Sequence, residues 1–112
     1  MKIDVRVHGL EPSERVREHV LRHLHFNLGR FGAELGSVLV RVGDVNGPRG
    51  GVDKRCQVTL RGRLIGEFTV EGLEADSRTV IERTLERAAR VAGRRLEKSR
   101  SARRRGSTEA WS

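Results

Sequence analysis

A chain of 112 residues, 36% hydrophobic and 34% charged, has room for one domain with a thin two-layer core, and no second catalytic or dimerisation domain is expected. Its formal charge of +8 is uneven: eleven Lys or Arg stand against three Glu between positions 77 and 105, so the whole excess lies in one segment. That imbalance points to a polyanionic partner addressed by one element. The opening MKIDVRV alternates polar and apolar residues, unlike a signal peptide or a membrane span, and the chain is expected in the cytoplasm.

Ile3, Val5 and Val7 alternate with Asp4, Arg6 and His8, the period of a strand with one covered face. Pro12 and Ser13 open a helix, with Ser13 as the expected N-cap and Glu14 favouring the positive end of the helix dipole. Val16, Val20, Leu24 and Leu28 form an apolar face with Leu21 beside them, and Gly29 and Gly32 follow. The helix is therefore predicted from 13 to about 28 or 30. Val38, Val40 and Val42 mark a second strand, and the loop DVNGPRGGVD at 44–53 interrupts regular structure.

Alternation resumes at 54–61, where Cys56, Val58 and Leu60 share a face. Arg61, Gly62 and Arg63 turn the chain into a fourth strand predicted over 64–71, with Phe68 and Val70 facing in and Glu67, Thr69 and Glu71 facing out. Strands two to four read as an antiparallel meander. Asp76 can cap a last helix over 77–101, in which Ile81, Leu85, Ala88, Ala92 and Leu96 fall within about 80° of one another on a helical wheel. Residues 102–112 carry no periodicity and read as a disordered basic tail behind a domain spanning 1–101. The order β-α-β-β-β-α predicts an α+β two-layer domain, two helices packed on one face of a four-stranded sheet.

On the same wheel Arg83, Arg87, Arg90 and Arg94 lie at about 200°, 240°, 180° and 220° from Ile81, opposite the apolar face. Lys98 extends this stripe, which then spans roughly 22 Å, enough to follow several successive phosphates. Like charges three or four residues apart cost about 0.2–0.5 kcal/mol per pair, a repulsion that a polyanion relieves. Arg outnumbers Lys throughout, as suits bidentate phosphate contact.

Other chemistry-bearing residues are weaker signals. His19 and His23 share a helix face, but no third ligand stands at ligand spacing and His25 points elsewhere, so no metal site and no cofactor are expected. Phe26 falls off the apolar arc of the first helix, and partial cover by the following loop is the expectation; an exposed ring there would offer a stacking surface for an unpaired base. Cys56, the one cysteine, reads as a small buried hydrophobe. The Gly-rich loop lacks the GxxxxGK[ST] pattern of a nucleotide cradle. No Ser-His-Asp order or close carboxylate pair emerges, so catalytic residues and a small-molecule substrate are not expected.

The topology, the segment DVNGPRGGVDKRC at 44–56 and the Arg-rich last helix together resemble the family of ribosome hibernation promoting factors and ribosome-associated inhibitor A, over roughly residues 1–100. The resemblance implies a short-form protein, monomeric off the ribosome, that binds rRNA of the small ribosomal subunit near the decoding region and silences translation under stress. It implies an rRNA-binding surface made of basic residues on both helices: Arg15, Arg22 and Arg30 in the first, and Arg83, Arg87, Arg90, Arg94 and Lys98 in the second. A general RNA-binding module without ribosome specificity would share every compositional feature.

Overall fold

The computed structural model describes residues 1–45 and 52–110, with side chains described through 103. Strands β1 (Lys2–His8), β2 (Ser37–Asp44), β3 (Lys54–Gly62) and β4 (Gly66–Glu74) form one sheet in that order. Helix α1 (Ser13–Leu28) crosses from β1 to β2, which pair in parallel, while β2–β3 and β3–β4 are antiparallel. Helix α2 (Ser77–Ala110) follows β4. The predicted α+β order and the meander are both present.

The alternation of the strands becomes three apolar rows across the sheet. Val5, Val40, Val58 and Val70 make the central row; Ile3, Val38, Leu60 and Phe68 make one flanking row, and Val7, Val42, Cys56 and Gly72 the other. Both helices cover this face, α1 over β1 and α2 over β3 and β4. From α1 come the buried Val20, Leu24 and Leu28, and from α2 come Ile81, Leu85, Ala88, Ala92 and Leu96, joined by Val80 and Ala89. Gly72 is what allows α2 to lie so close, because a Cβ there would collide with the buried Thr84 Oγ1.

Several boundaries differ from expectation. Ser13 is the first helical residue and not the cap: Pro12 occupies that position, and the Glu11 carboxylate accepts the Ser13 N–H at 3.4 Å instead. A 3-10 segment, Gly29–Glu34, follows α1. The fourth strand begins at Gly66 and runs to Glu74, because Arg63, Leu64 and Ile65 are needed as a three-residue hairpin loop. That loop closes on Gly66 at φ 69°, a left-handed conformation that glycine adopts without steric cost.

Helix α2 also continues to Ala110, past its expected end at 101, so the backbone of 102–110 is helical where an irregular tail was predicted. Apolar periodicity reports docking and not helicity; once a helix is nucleated, good helix formers such as Ala102 and Arg103 extend it at little cost. Leu96 is the last buried residue of α2 among those described. Most of the Gly-rich loop, residues 46–51, lies outside the described residues, as do residues 111 and 112. The base of that loop is clamped by Val45 N–H donating to the Asp53 carbonyl at 2.9 Å and by Lys54 Nζ on the buried Asp53 carboxylate at 2.7 Å.

Asp76 caps α2 as predicted, accepting the Thr79 N–H at 3.0 Å and the Thr79 hydroxyl at 2.9 Å. These two donors hold its carboxyl below the ordinary value near 3.8. Asp76→Ala should therefore cost about 1 kcal/mol at neutral pH. A depressed folded-state pKa contributes stability above the unfolded value and loses it as pH falls through the folded one. The gap between parent and variant in urea melts should accordingly be full at pH 7 and narrow below about pH 4.

Candidate nucleic-acid interface

The two helices lie side by side on the sheet, and their outer faces make the surface opposite the core. All five residues of the predicted stripe, Arg83, Arg87, Arg90, Arg94 and Lys98, are exposed, as are Arg15 and Arg22 of α1. Arg30 is exposed too; it was expected in the first helix but lies in the 3-10 segment after it, because α1 ends at Leu28. They do not form one uniform line.

Arg83 and Arg87 lean toward the sheet edge, Arg83 Nη1 pairing with Glu74 at 2.5 Å and Arg87 Nη1 donating to the Glu71 carbonyl at 2.8 Å. Arg90, Arg94 and Lys98 have no ion-pair partner among the described residues. Arg30 projects from the 3-10 segment into the same region. With Phe26, Asn27, Glu86 and Ala89, Arg30 and Arg90 line one hollow between the helices. Arg30, Arg90, Arg94 and Lys98 line the next hollow along the seam, over Phe31 and Gly93. The structure thus gathers four of the eight expected residues around one cationic seam, Arg90, Arg94 and Lys98 from α2 and Arg30 from the 3-10 segment that follows α1. Arg15 and Arg22 sit together at the other end, beside Arg78.

Phe26 is 84% exposed, and the expected cover by the following loop is absent: the chain turns away through the 3-10 segment, which carries Phe31 back onto the core instead. An open aromatic ring therefore stands beside two guanidinium groups, a stacking surface next to phosphate ligands.

Sequence reasoning missed several basic residues. Arg78 is in the first turn of α2, where the wheel places it at about 60° from Ile81, inside the apolar arc and hence facing α1; that angle was the available signal. Arg100 pairs with Glu34 at 2.6 Å, and nothing local in the sequence joins those two. Arg95 and Arg17 serve the fold. Arg95 donates to the Ile65 carbonyl at 3.0 Å and lies 4.6 Å from the Phe68 ring centroid, and Arg17 donates to the Val5 carbonyl at 2.6 Å.

At the opposite end of the seam His19 and His23 do meet a third potential ligand. Glu82 of α2 places Oε2 3.6 Å from His19 Nε2 and Oε1 3.5 Å from His23 Nε2. The expectation that no carboxylate stands with these histidines is thus corrected; the partner comes from the other helix, 59 residues further along than His23. Burial, and then the neighbouring His23, push the His19 imidazole below its usual value near 6.5. Burial also pushes the Cys56 thiol up to about 12, against a smaller opposing effect of the Thr84 hydroxyl, so this thiol is not a nucleophile at neutral pH.

No family model matches the chain, and no curated protein matches it in sequence. Solved structures do. The N-terminal domain of Protein Y from Thermus thermophilus superposes with a TM-score of 0.66 at 21% identity, covering 84% of this chain and 98% of that one. A ribosomal subunit interface protein from Coxiella burnetii gives 0.63 at 13% identity, covering 90% and 99%. This chain has their fold. Nearly the whole of each of those chains is matched. Among the described residues no helix is long and apolar enough to cross a membrane.

Proposed function

We propose that this chain is a ribosome-associated translation inhibitor that binds rRNA of the small subunit near the decoding region, with the α1–α2 seam as its contact surface and occupancy, not chemistry, as its mode of action. The observation that carries the reading is the convergence of Arg30, Arg90, Arg94 and Lys98 on one seam, exposed, and with the last three unpaired among the described residues. Four cations so placed ask for a chain of phosphates. The fold supports the ribosome as the source, since a protein named for the ribosomal subunit interface shares it over 90% of this chain. On this reading the protein works in the cytoplasm, as a monomer when free, without a small-molecule substrate.

Phe26 adds a requirement. An aromatic ring flanked by guanidinium groups favours an unpaired base over a regular duplex, because only a splayed base offers its face. Folded single-stranded elements of rRNA supply such bases.

The experiment is co-sedimentation with purified small subunits, large subunits and transfer RNA at two salt concentrations. Saturable binding to small subunits alone, weakening steeply with salt, is the expected result. Equal binding to all three RNAs would make the chain a general RNA-binding module, and binding to none would end the reading.

A further inference from the structure

We propose that His19, His23 and Glu82 form a site for one divalent transition-metal ion of the zinc type, clasping α1 to α2. The two histidines stand one turn apart on the face of α1 that meets α2, with ring centroids 4.4 Å apart. Glu82, in the second turn of α2, offers one oxygen to each ring, and the three ligand atoms lie within 4.8 Å of one another.

The distances suit a shared ion better than direct hydrogen bonds. Nitrogen-to-oxygen hydrogen bonds run at about 2.7–3.2 Å. Two ligands each about 2.1 Å from a tetrahedral ion are about 3.4 Å apart. The observed 3.6 and 3.5 Å exceed the first range and sit near the second. His19 Nε2 is moreover buried without any hydrogen-bond partner, and a buried polar nitrogen left unmet is costly. A metal ion would satisfy it.

Two histidines and one glutamate leave a fourth position on a tetrahedral ion. Arg15, Arg22 and Arg78 line the hollow beside His19, against Glu11 and Glu18. That excess of positive charge favours an anion, hydroxide or phosphate, as the fourth ligand. The site is separate from the cationic seam around Arg90 and does not depend on the reading of that seam.

The test is titration of the metal-free protein, without RNA, with zinc followed by calorimetry and with cobalt followed by absorption. One equivalent should bind, and zinc should raise the melting temperature. Glu82→Gln and His23→Gln should each weaken binding about tenfold or more and abolish the thermal shift, while melting like the parent when metal-free. A double variant, His8→Gln with His25→Gln, should bind zinc as the parent does. Absence of saturable binding by the parent would overturn the proposal, and so would unchanged affinity in both ligand variants. If one ligand variant fails to fold, the other still decides.

Discussion

Replacing Arg30, Arg90 and Arg94 with glutamate should abolish co-sedimentation with small subunits while leaving a cooperative melt close to that of the parent. The three side chains are exposed, and their charge serves the surface and not the core. The one local cost is Arg30, which lies 4.8 Å from the Phe31 ring centroid, an exposed cation–π contact worth about 0.5–1 kcal/mol. Against a polyanion, reversal removes three attractions and adds three repulsions, several kcal/mol in all. If each arginine holds one phosphate, three single-charge neutralisations to glutamine should lower the magnitude of the log–log salt slope by about two to three units. Phe26→Ala should instead cost about 1–3 kcal/mol with the slope unchanged, because a stacking contact releases no counterions.

Two controls make this informative. Arg6 and Arg41 are exposed on the open face of the sheet, across from the helices, so their double glutamate variant measures the effect of net charge alone. Arg83 and Arg87 belong to the same helix but are partly committed to Glu74 and to the Glu71 carbonyl. Their reversal should weaken binding less than reversal of Arg90 and Arg94. If the triple variant still pelleted like the parent, with the parent's salt slope, the seam would not be the binding surface.

The second large effect lies in the core. Val58→Asp should leave the chain unfolded at neutral pH. Val58 is fully buried at the centre of the sheet, between Val40 and Val70 in the middle apolar row and beneath α2. An unpaired carboxylate there costs several kcal/mol, or the energy needed to keep it protonated. That is comparable with the entire stability of a domain this size, about 5–15 kcal/mol. Far-ultraviolet circular dichroism and thermal melting are the measurements; a cooperative melt near the parent midpoint would mean the strand register is wrong.

The buried face of each strand was the most legible feature of the sequence. A period of two fixes which face is buried, so the alternation at Val38, Val40, Val42 and at Cys56, Val58, Leu60 assigned these side chains to the core face. A slip of two residues preserves that face, and the pairing partners came only from the structure. Helix faces were read less completely. The wheel found Ile81, Leu85 and Leu96 but not the burial of Thr84, whose hydroxyl is satisfied by the Val80 carbonyl at 2.5 Å and so behaves as part of the core. The fourth strand was misplaced because Leu64 and Ile65 look like strand residues; only the pairing of Gly62 with Gly66 shows that they form the turn.

The candidate site divides along similar lines. Which arginines face outward followed from helical geometry and was visible in advance. Which of them remain unpaired did not, since Glu74 and Glu71 reach Arg83 and Arg87 from a different element. The grouping of His19 and His23 with Glu82 is equally a product of helix packing. Spacing along one helix reports one face of that helix, and a site built between two helices requires their relative placement.

Cys56 sits in the sheet row of Val7, Val42 and Gly72, fully buried and near the hydroxyl of Thr84 on α2. Its sulfur meets a water-borne reagent only when β3 and α2 separate, and those are the elements that hold the core together. The lone thiol is therefore a built-in clock for rare opening of the native state. In the limit of fast reclosing, its rate of consumption by an alkylating agent equals the intrinsic rate of a free thiol scaled by the fraction of molecules open at any moment. Any ligand that binds the closed form alone, whether RNA along the seam or a metal between the helices, slows that clock by the factor by which it depletes the open state.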